Sequence, residues 1–497
     1  MNKLDVIPDS RSNLDFSCSQ GKNLASVQLL TYLKKLKLQK IFLLAVTDPR
    51  QGKVTYTLES LIQTAMATVL FRMGSKNAFH KEGRTSEAAE ASIAKFCGID
   101  SGKLPVTKTI DDVLKNLDHE EMNEVLMRVF EILRKDKFFS DHSALIPGNK
   151  YHLAIDAEST HKYTLDSDHD CVTCPFCLKR QRGEEIWYLH MHVAVSLVCP
   201  GGIRIPLYLY PIHAKSLSCD ETTSPEKFKQ ECELGAFPLI LNKIRERFPR
   251  LKFCILVDSL YANGPAIKIL KATRMEFMIV RKDGSMKTVG QDCDGLEKIP
   301  DDKTTGQIEE TGIENGKKIK RSYRFFNEID YQNLKLNVLR FEEAIFDKNE
   351  NKFGYVRWEW LVSWRLTKRN AFLTASRGRM RWLEEDLFNT LKNRGFRIKH
   401  DYSRNSSSQI IWCILIMLAF LVTELFVLTR QIVSIKRNRS LKDFMRSIFY
   451  ELRHLYEKIF KEQIPQRKTQ FRYCFEKTYF SLNHKKRFIA KEHVENN

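Results

Sequence analysis

Two aspartates in this chain stand at the ends of apolar runs, where a carboxylate is costly unless something offsets its charge. Asp156 follows His152-Leu-Ala-Ile155, and Asp258 follows Phe253-Cys-Ile-Leu-Val257. A lone buried carboxylate is expensive. Two on neighbouring strands form a site that a divalent cation neutralises, and hard oxygen ligands select Mg2+ or Mn2+. For one such Asp a helix cap or a turn is the simpler reading; two on one sheet shift the balance toward a site. A third candidate lies far along the chain, in Arg381-Trp-Leu-Glu-Glu-Asp-Leu-Phe-Asn-Thr-Leu-Lys392. On a helix, Arg381, Glu385 and Lys392 fall at offsets of four and seven and share a face. That face offers one metal ligand between two phosphate-binding cations, while Leu383, Leu387 and Leu391 supply an opposite face for burial. Taken alone, the segment is an amphipathic surface helix with an ion pair. Glu384 competes for the ligand role; Glu385 is preferred because both flanking spacings then fit.

A second cluster is Cys171-Val-Thr-Cys174-Pro-Phe-Cys177, with His190, His192 and Cys199 downstream. Cys-x2-Cys followed by His or Cys has zinc-like spacing, so Cys174 and Cys177 are candidate Zn2+ ligands. No standard spacing fixes the other two. His190 and His192 alternate on a strand and share a side, as ordinary half-buried strand residues also do.

The elements that must position these groups follow from periodicity. After an N-terminal extension, 1–24, residues 25–150 read as a helical domain for DNA binding or dimerisation, with near-helical leucine spacing from Leu29 to Leu38 and an apolar helix over Leu58 to Phe71. From Tyr151 the texture is that of strands: His152 to Asp156, Ile186 to Val198 and Ile203 to Ile212. A helix over Pro225 to Phe248, an apolar strand over Phe253 to Asp258, a helix over Asn263 to Thr273 and a strand over Glu276 to Val280 complete residues 151–282, the first part of a core with a Cys-rich insertion at 165–185. Such an order predicts a mixed α/β sheet with helices packed on it. Residues 283–322 read as a polar loop, and Arg324 to Leu366 as β-rich with a turn at Asp347 to Asn351, giving a loop and β-rich insertion over 283–370. Residues 371–430 hold the third acid's helix, stopped at Gly395, and a further apolar helix; 431–497 is a basic tail with Lys436-Arg-Asn-Arg439 and Lys485-Lys-Arg487.

The run Ile410 to Thr423 is continuously apolar, and Glu424 interrupts it. It falls short of the roughly 20 residues a membrane span needs, so a buried core helix is expected and no membrane partner. The chain has 497 residues, a formal charge of +20, a 43% hydrophobic fraction and 12 Cys. Two to four domains with sizeable cores follow, and a polyanion such as nucleic acid is the favoured partner. Met1 to Asp9 carries no apolar export segment. The expected compartment is reducing and cytoplasmic, so clustered Cys point to metal rather than to disulfides.

Together these motifs resemble the IS4-like, DDE-type transposases of bacterial insertion sequences. Arg381, Glu385 and Lys392 fit that family's Tyr-x2-Arg-x3-Glu-x6-Lys pattern, with Gly378 where the Tyr stands. Val257-Asp-Ser-Leu-Tyr-Ala-Asn-Gly-Pro265 is similar to the second-acid segment of a subgroup with a Cys-rich insertion, and Asp156-Ala-Glu-Ser-Thr160 is a looser match to the first. Phe388 to Gly395 and Ile416 to Leu421 also resemble that subgroup, so the resemblance runs from about residue 40 to 430. It implies an RNase H-like core carrying Asp156, Asp258 and Glu385, with a β-rich insertion between the second and third acids. It further implies two Mg2+ ions about 3.5–4 Å apart that clamp a scissile phosphate, with Arg381 and Lys392 orienting phosphates. The substrates would be transposon ends and target DNA in the nucleoid, and the enzyme a homodimer. The rival readings are a degenerate, non-catalytic DNA-binding relative, a Cys-nucleophile hydrolase (unsupported by any Cys, His and acid order) and a membrane protein.

Overall fold

The computed structural model describes residues 24–139, 150–164, 166–214, 225–299, 303–314, 316–347, 352–429, 432 and 439–454. The N-terminal extension before residue 24, most of the tail beyond 430 and residues 348–351 of the expected turn lie outside them.

Among the described residues seven helices come first: α1 (Ala25–Lys35), α2 (Leu38–Ala45), α3 (Leu58–Leu70), α4 (Lys76–Gly83), α5 (Glu87–Phe96), α6 (Thr107–Leu114) and α7 (His119–Lys135). Side-chain caps fix several starts; the Thr57, Ser75 and Ser86 hydroxyls each accept from a backbone N–H of the first turn. Strands β1 (Tyr151–Tyr163), β2 (Leu178–Arg182), β3 (Glu185–Cys199) and β4 (Ile203–Pro211) precede α8 (Pro225–Arg247). Then come β5 (Phe253–Val257), α9 (Gly264–Ala272) and β6 (Glu276–Val280). After α10 (Lys287–Leu296) the chain runs through β7 (Thr305–Glu314), β8 (Lys317–Tyr331), β9 (Leu334–Phe346) and β10 (Lys352–Val362). The described residues close with α11 (Ala371–Gly378), α12 (Trp382–Asn393), α13 (Ser406–Val427) and α14 (Leu441–Arg453).

The strands form one mixed sheet in the order β2-β3-β1-β5-β6-β10-β9-β8-β7, with β4 also pairing β3. β1 runs antiparallel to β3 and parallel to β5, and β5 runs parallel to β6. β10 joins β6 antiparallel through Trp360 to Val362, and β9, β8 and β7 continue as a meander. The β-rich segment is therefore an extension of the core sheet. The polar stretch 283–322, expected as loop, instead contains α10, β7 and the start of β8. Its apolar signal is faint for a physical reason. β7 is an edge strand that buries none of its residues, and α10 buries only Val289, Gly290 and Cys293.

Alternation along β1, β5 and β6 divides the core. Leu153, Ile155, Ile255, Val257 and Phe277 pack with Phe237 and Ile240 of α8 and Ile267 of α9. Ala154, Cys254, Leu256 and Met278 face the other way, toward Ala375 of α11, Met380 and Leu383. α13 is apolar all round, and 89% of its most apolar window is buried. A helix without a polar face needs partners on every side; α3, α7 and β4 supply them. By length and composition it is also the one helix among the described residues able to cross a membrane.

Candidate functional site

Asp156 lies in β1 opposite Ala194 of β3. The parallel pairing of β1 with β5 ends at Ala154 and Leu256. Continuing that register by two positions sets Asp156 level with Asp258, one strand away, and the spacing between neighbouring strands is about 4.8 Å. Matched positions on adjacent strands share a face, so both carboxylates belong to the face that carries Ala154 and Leu256. Asp258 Oδ1 accepts from Leu260 N at 2.9 Å and caps the turn Ser259–Tyr261, so the bland turn role is present as well. Asp156 Oδ1 accepts from Ala157 N at 3.0 Å. Tyr261 is fully buried, and its hydroxyl has no hydrogen-bond partner. Burial first, then the charges of Glu233, Asp258 and Asp156, push that hydroxyl well above the usual tyrosine range. Three acids thus act on Tyr261, and Glu233, a buried acid on α8, is the one that no sequence spacing marked.

The face over β1 and β3 is lined by small residues: Ala154, Ala194 and Ser196. They leave room for α12. Glu384 is fully buried there, accepting from Ser196 Oγ at 3.0 Å, with its Oε2 unpartnered. Burial, reinforced by the nearby Asp156 charge, pushes its carboxyl up to about 8, against the pull of Ser196, Arg204 and Arg381. Glu385, one residue on, has a side chain about one-third exposed and accepts from Arg381 Nη2 at 2.6 Å. Lys392 donates to Glu158 Oε2 at 2.7 Å. Glu158 stands two residues beyond Asp156 on the same strand, so Lys392 reaches β1, whereas the acid of α12 that meets the sheet face near Asp156 is Glu384 and not Glu385.

Arg204 of β4 locks the helix from its other side. It is 6% exposed, pairs with Asp386 of α12 and Glu424 of α13, and donates to Thr390 Oγ1 at 3.4 Å. Burial works against its charge, but Glu424 and Asp386 together hold the guanidinium above its ordinary value. Gly378 closes α11 against the sheet. A Cβ there would lie 2.5 Å from Met278 Cε and from a ring carbon of Trp360, so a side chain fits only if these two side chains shift.

The carboxylate set suits a hard divalent ion: the continued β1–β5 register brings Asp156 level with Asp258, and Glu384, buried within reach of the Asp156 charge, has an Oε2 that lacks any donor. A different donor set forms at the far end of β1 and β3. His169, Cys174, Cys177 and His190 are all buried, and their ligand atoms lie within 4.8 Å of one another. His192 and Cys199, the other downstream candidates, are elsewhere. The His192 ring meets Thr160 Oγ1 at 3.1 Å, and Cys199 is enclosed at the opposite end of β3, its thiol pushed up by burial.

No family model matches the chain, and no curated protein matches it. Among solved structures it is similar to a piggyBac transposase synaptic complex with hairpin DNA, at 11% identity and a TM-score of 0.33, over 90% of this chain and 82% of that one.

Proposed function

We propose that this chain cuts and rejoins DNA phosphodiester bonds as a DDE-type transposase of the IS4-like group, built on an RNase H-like core. The observation that carries the reading is the register that sets Asp156 and Asp258 level on neighbouring parallel strands, with the acidic helix α12 over the same sheet face. The strand order β4-β3-β1-β5-β6, flanked by helices, supports the RNase H-like core. The charge of +20 supports a polyanionic substrate.

Asp156, Asp258 and Glu385 would hold the divalent ions. Bound there, Mg2+ or Mn2+ would supply a Lewis acid and an activated water. Glu385 is the third ligand in this reading because it stands at the expected spacing between Arg381 and Lys392 and its side chain is open to solvent. Arg381 neutralises it at rest and would be released to phosphate as an ion takes the carboxylate. Lys392, held by Glu158 beside Asp156, would bear on the neighbouring phosphate. Glu384 sits beneath as a largely protonated carboxyl at neutral pH.

Nicking of a duplex carrying the element's end sequence, with Mg2+ or Mn2+ and with chelator, tests the reading. Asp156→Asn, Asp258→Asn and Glu385→Gln are each expected to abolish nicking while DNA binding persists. Metal-independent binding with no nicking by the unaltered chain would identify a degenerate DNA-binding relative. A second reading exchanges the two glutamates, favoured by the field that Glu384 shares with Asp156. A dead Glu384→Gln beside an active Glu385→Gln would decide for it.

A further inference from the structure

We propose that His169, Cys174, Cys177 and His190 bind one structural zinc ion, which pins the Cys-rich insertion to the core sheet and to the segment entering α13. This site is separate from the carboxylates and stands whether or not the chain is a nuclease.

The geometry is that of a nearly assembled tetrahedron. Cys174 Sγ lies 3.3 Å from His190 Nε2; Cys177 Sγ lies 3.2 Å from His190 Nε2 and 3.4 Å from His169 Nε2. Zinc bonds of about 2.3 Å to sulfur and about 2.0 Å to nitrogen place S and N about 3.5 Å apart across a tetrahedral edge. Burial is uniform, from 0% exposure at His190 to 9% at Cys174. Two thiolates and two neutral imidazoles cancel the charge of Zn2+, whereas the same thiols without an ion would be an enclosed polar cluster with poor partners. Soft sulfur with imidazole selects zinc over magnesium.

The surroundings orient the ligands. His169 Nδ1 meets the Arg404 carbonyl at 2.8 Å, which fixes it as the donor nitrogen and leaves Nε2 free for metal. The His169 ring stacks on Tyr163 at 4.3 Å, and Tyr163 donates to Asp401 Oδ1 at 2.8 Å. Between β1 and β2 the chain makes turns without regular structure, and Val172 there is 79% exposed. Phe176 and the three cysteines face the core while the turns between them stay open, and a metal would fasten such a stretch more firmly than these few apolar contacts. Four protein ligands leave no open position, so the ion is structural. Through Arg404 and Asp401 it fixes the connection between α12 and α13, and hence the seat of the acidic helix.

The test is metal analysis of the full chain purified without chelator. One zinc per chain is expected. Replacement by Co2+ should give the visible bands of tetrahedral cobalt together with thiolate charge-transfer absorption. Cys174→Ser with Cys177→Ser, and separately His169→Gln, should lose the metal. His192→Asn, whose ring contacts Thr160, should keep it, as should Asp156→Asn. Absence of stoichiometric zinc, cobalt spectra without thiolate absorption, or a Cys174–Cys177 disulfide in freshly purified protein would overturn the proposal. The cobalt spectrum of the unaltered chain decides the matter if the cysteine variants fail to fold. Loss of nicking with zinc intact would count against the nuclease reading alone.

Discussion

Glu384→Gln should change how stability depends on pH, and the sign follows from burial. The Glu384 carboxyl is raised from its ordinary 4.5 to about 8, by burial first and then by Asp156. Its folded value exceeds its unfolded one, so its contribution is fully present below about pH 4.5 and is lost as pH rises through about 8. Across that window stability falls by about 1.4 kcal/mol per pH unit, or about 3 kcal/mol between about pH 5.5 and about pH 7.5. Glutamine keeps the shape and the acceptor for Ser196 Oγ and has no proton to lose. The variant should therefore lack this slope and be the more stable chain above neutrality. Buried His80, His152 and His161, held well below the usual histidine range by desolvation, add slopes of their own below their ordinary value. They are present in both proteins and cancel in the difference. The assay is urea denaturation of both chains at a series of pH values, with chelator present throughout. Parallel stability curves from about pH 5.5 to about pH 8 would refute the reasoning, since they would mean that Glu384 is solvated or ionised in the native protein. Adding Mg2+ is expected to flatten the unaltered chain's curve if Glu384 is itself a ligand, and to leave it sloping if Glu385 is.

Arg204→Met should destabilise the chain by about 2–3 kcal/mol, because it removes the cation that ties Asp386 of α12 to Glu424 of α13; a loss below about 1 kcal/mol in chemical denaturation would sink the clamp. Gly378→Ala should cost about 1–3 kcal/mol and alter the near-ultraviolet signal of Trp360, since the new methyl meets that ring and Met278 at 2.5 Å. An unchanged midpoint and spectrum would show that the contact relaxes freely. Lys392→Ala should weaken binding to DNA of any sequence and reduce the salt slope of binding by about one. An unchanged slope would remove the phosphate contact.

Much of the site's scaffold was legible because strands announce themselves locally. The apolar runs before Asp156 and Asp258, the helix with Leu383, Leu387 and Leu391 on one face, and the all-apolar helix from 410 follow from periodicity, and the structure carries each as a strand or a buried helix. But β1 runs on to Tyr163 through its pairing with β3, so Asp156 stands inside a strand expected to end there. β7 and α10 escaped, since an edge strand exposed on both faces and a short helix with one buried stripe leave no apolar rhythm to find. The Cys-x2-Cys pair was legible; its partners were not. His169 lies upstream in an irregular segment and His190 on a strand, and nothing in their spacing separates His190 from His192.

The amino-acid order alone determined most of the segments that become strands or buried helices and which acids follow their apolar runs, because those are properties of a few neighbouring residues. Only the tertiary structure decided that Asp156 and Asp258 stand level, that Glu384 is enclosed while Glu385 meets Arg381, and that His190 rather than His192 faces the two cysteines. Each of those depends on register between strands or on the rotation of a helix over a sheet. Both are set by packing among residues hundreds of positions apart, where a shift of one residue exchanges the buried side for the open one.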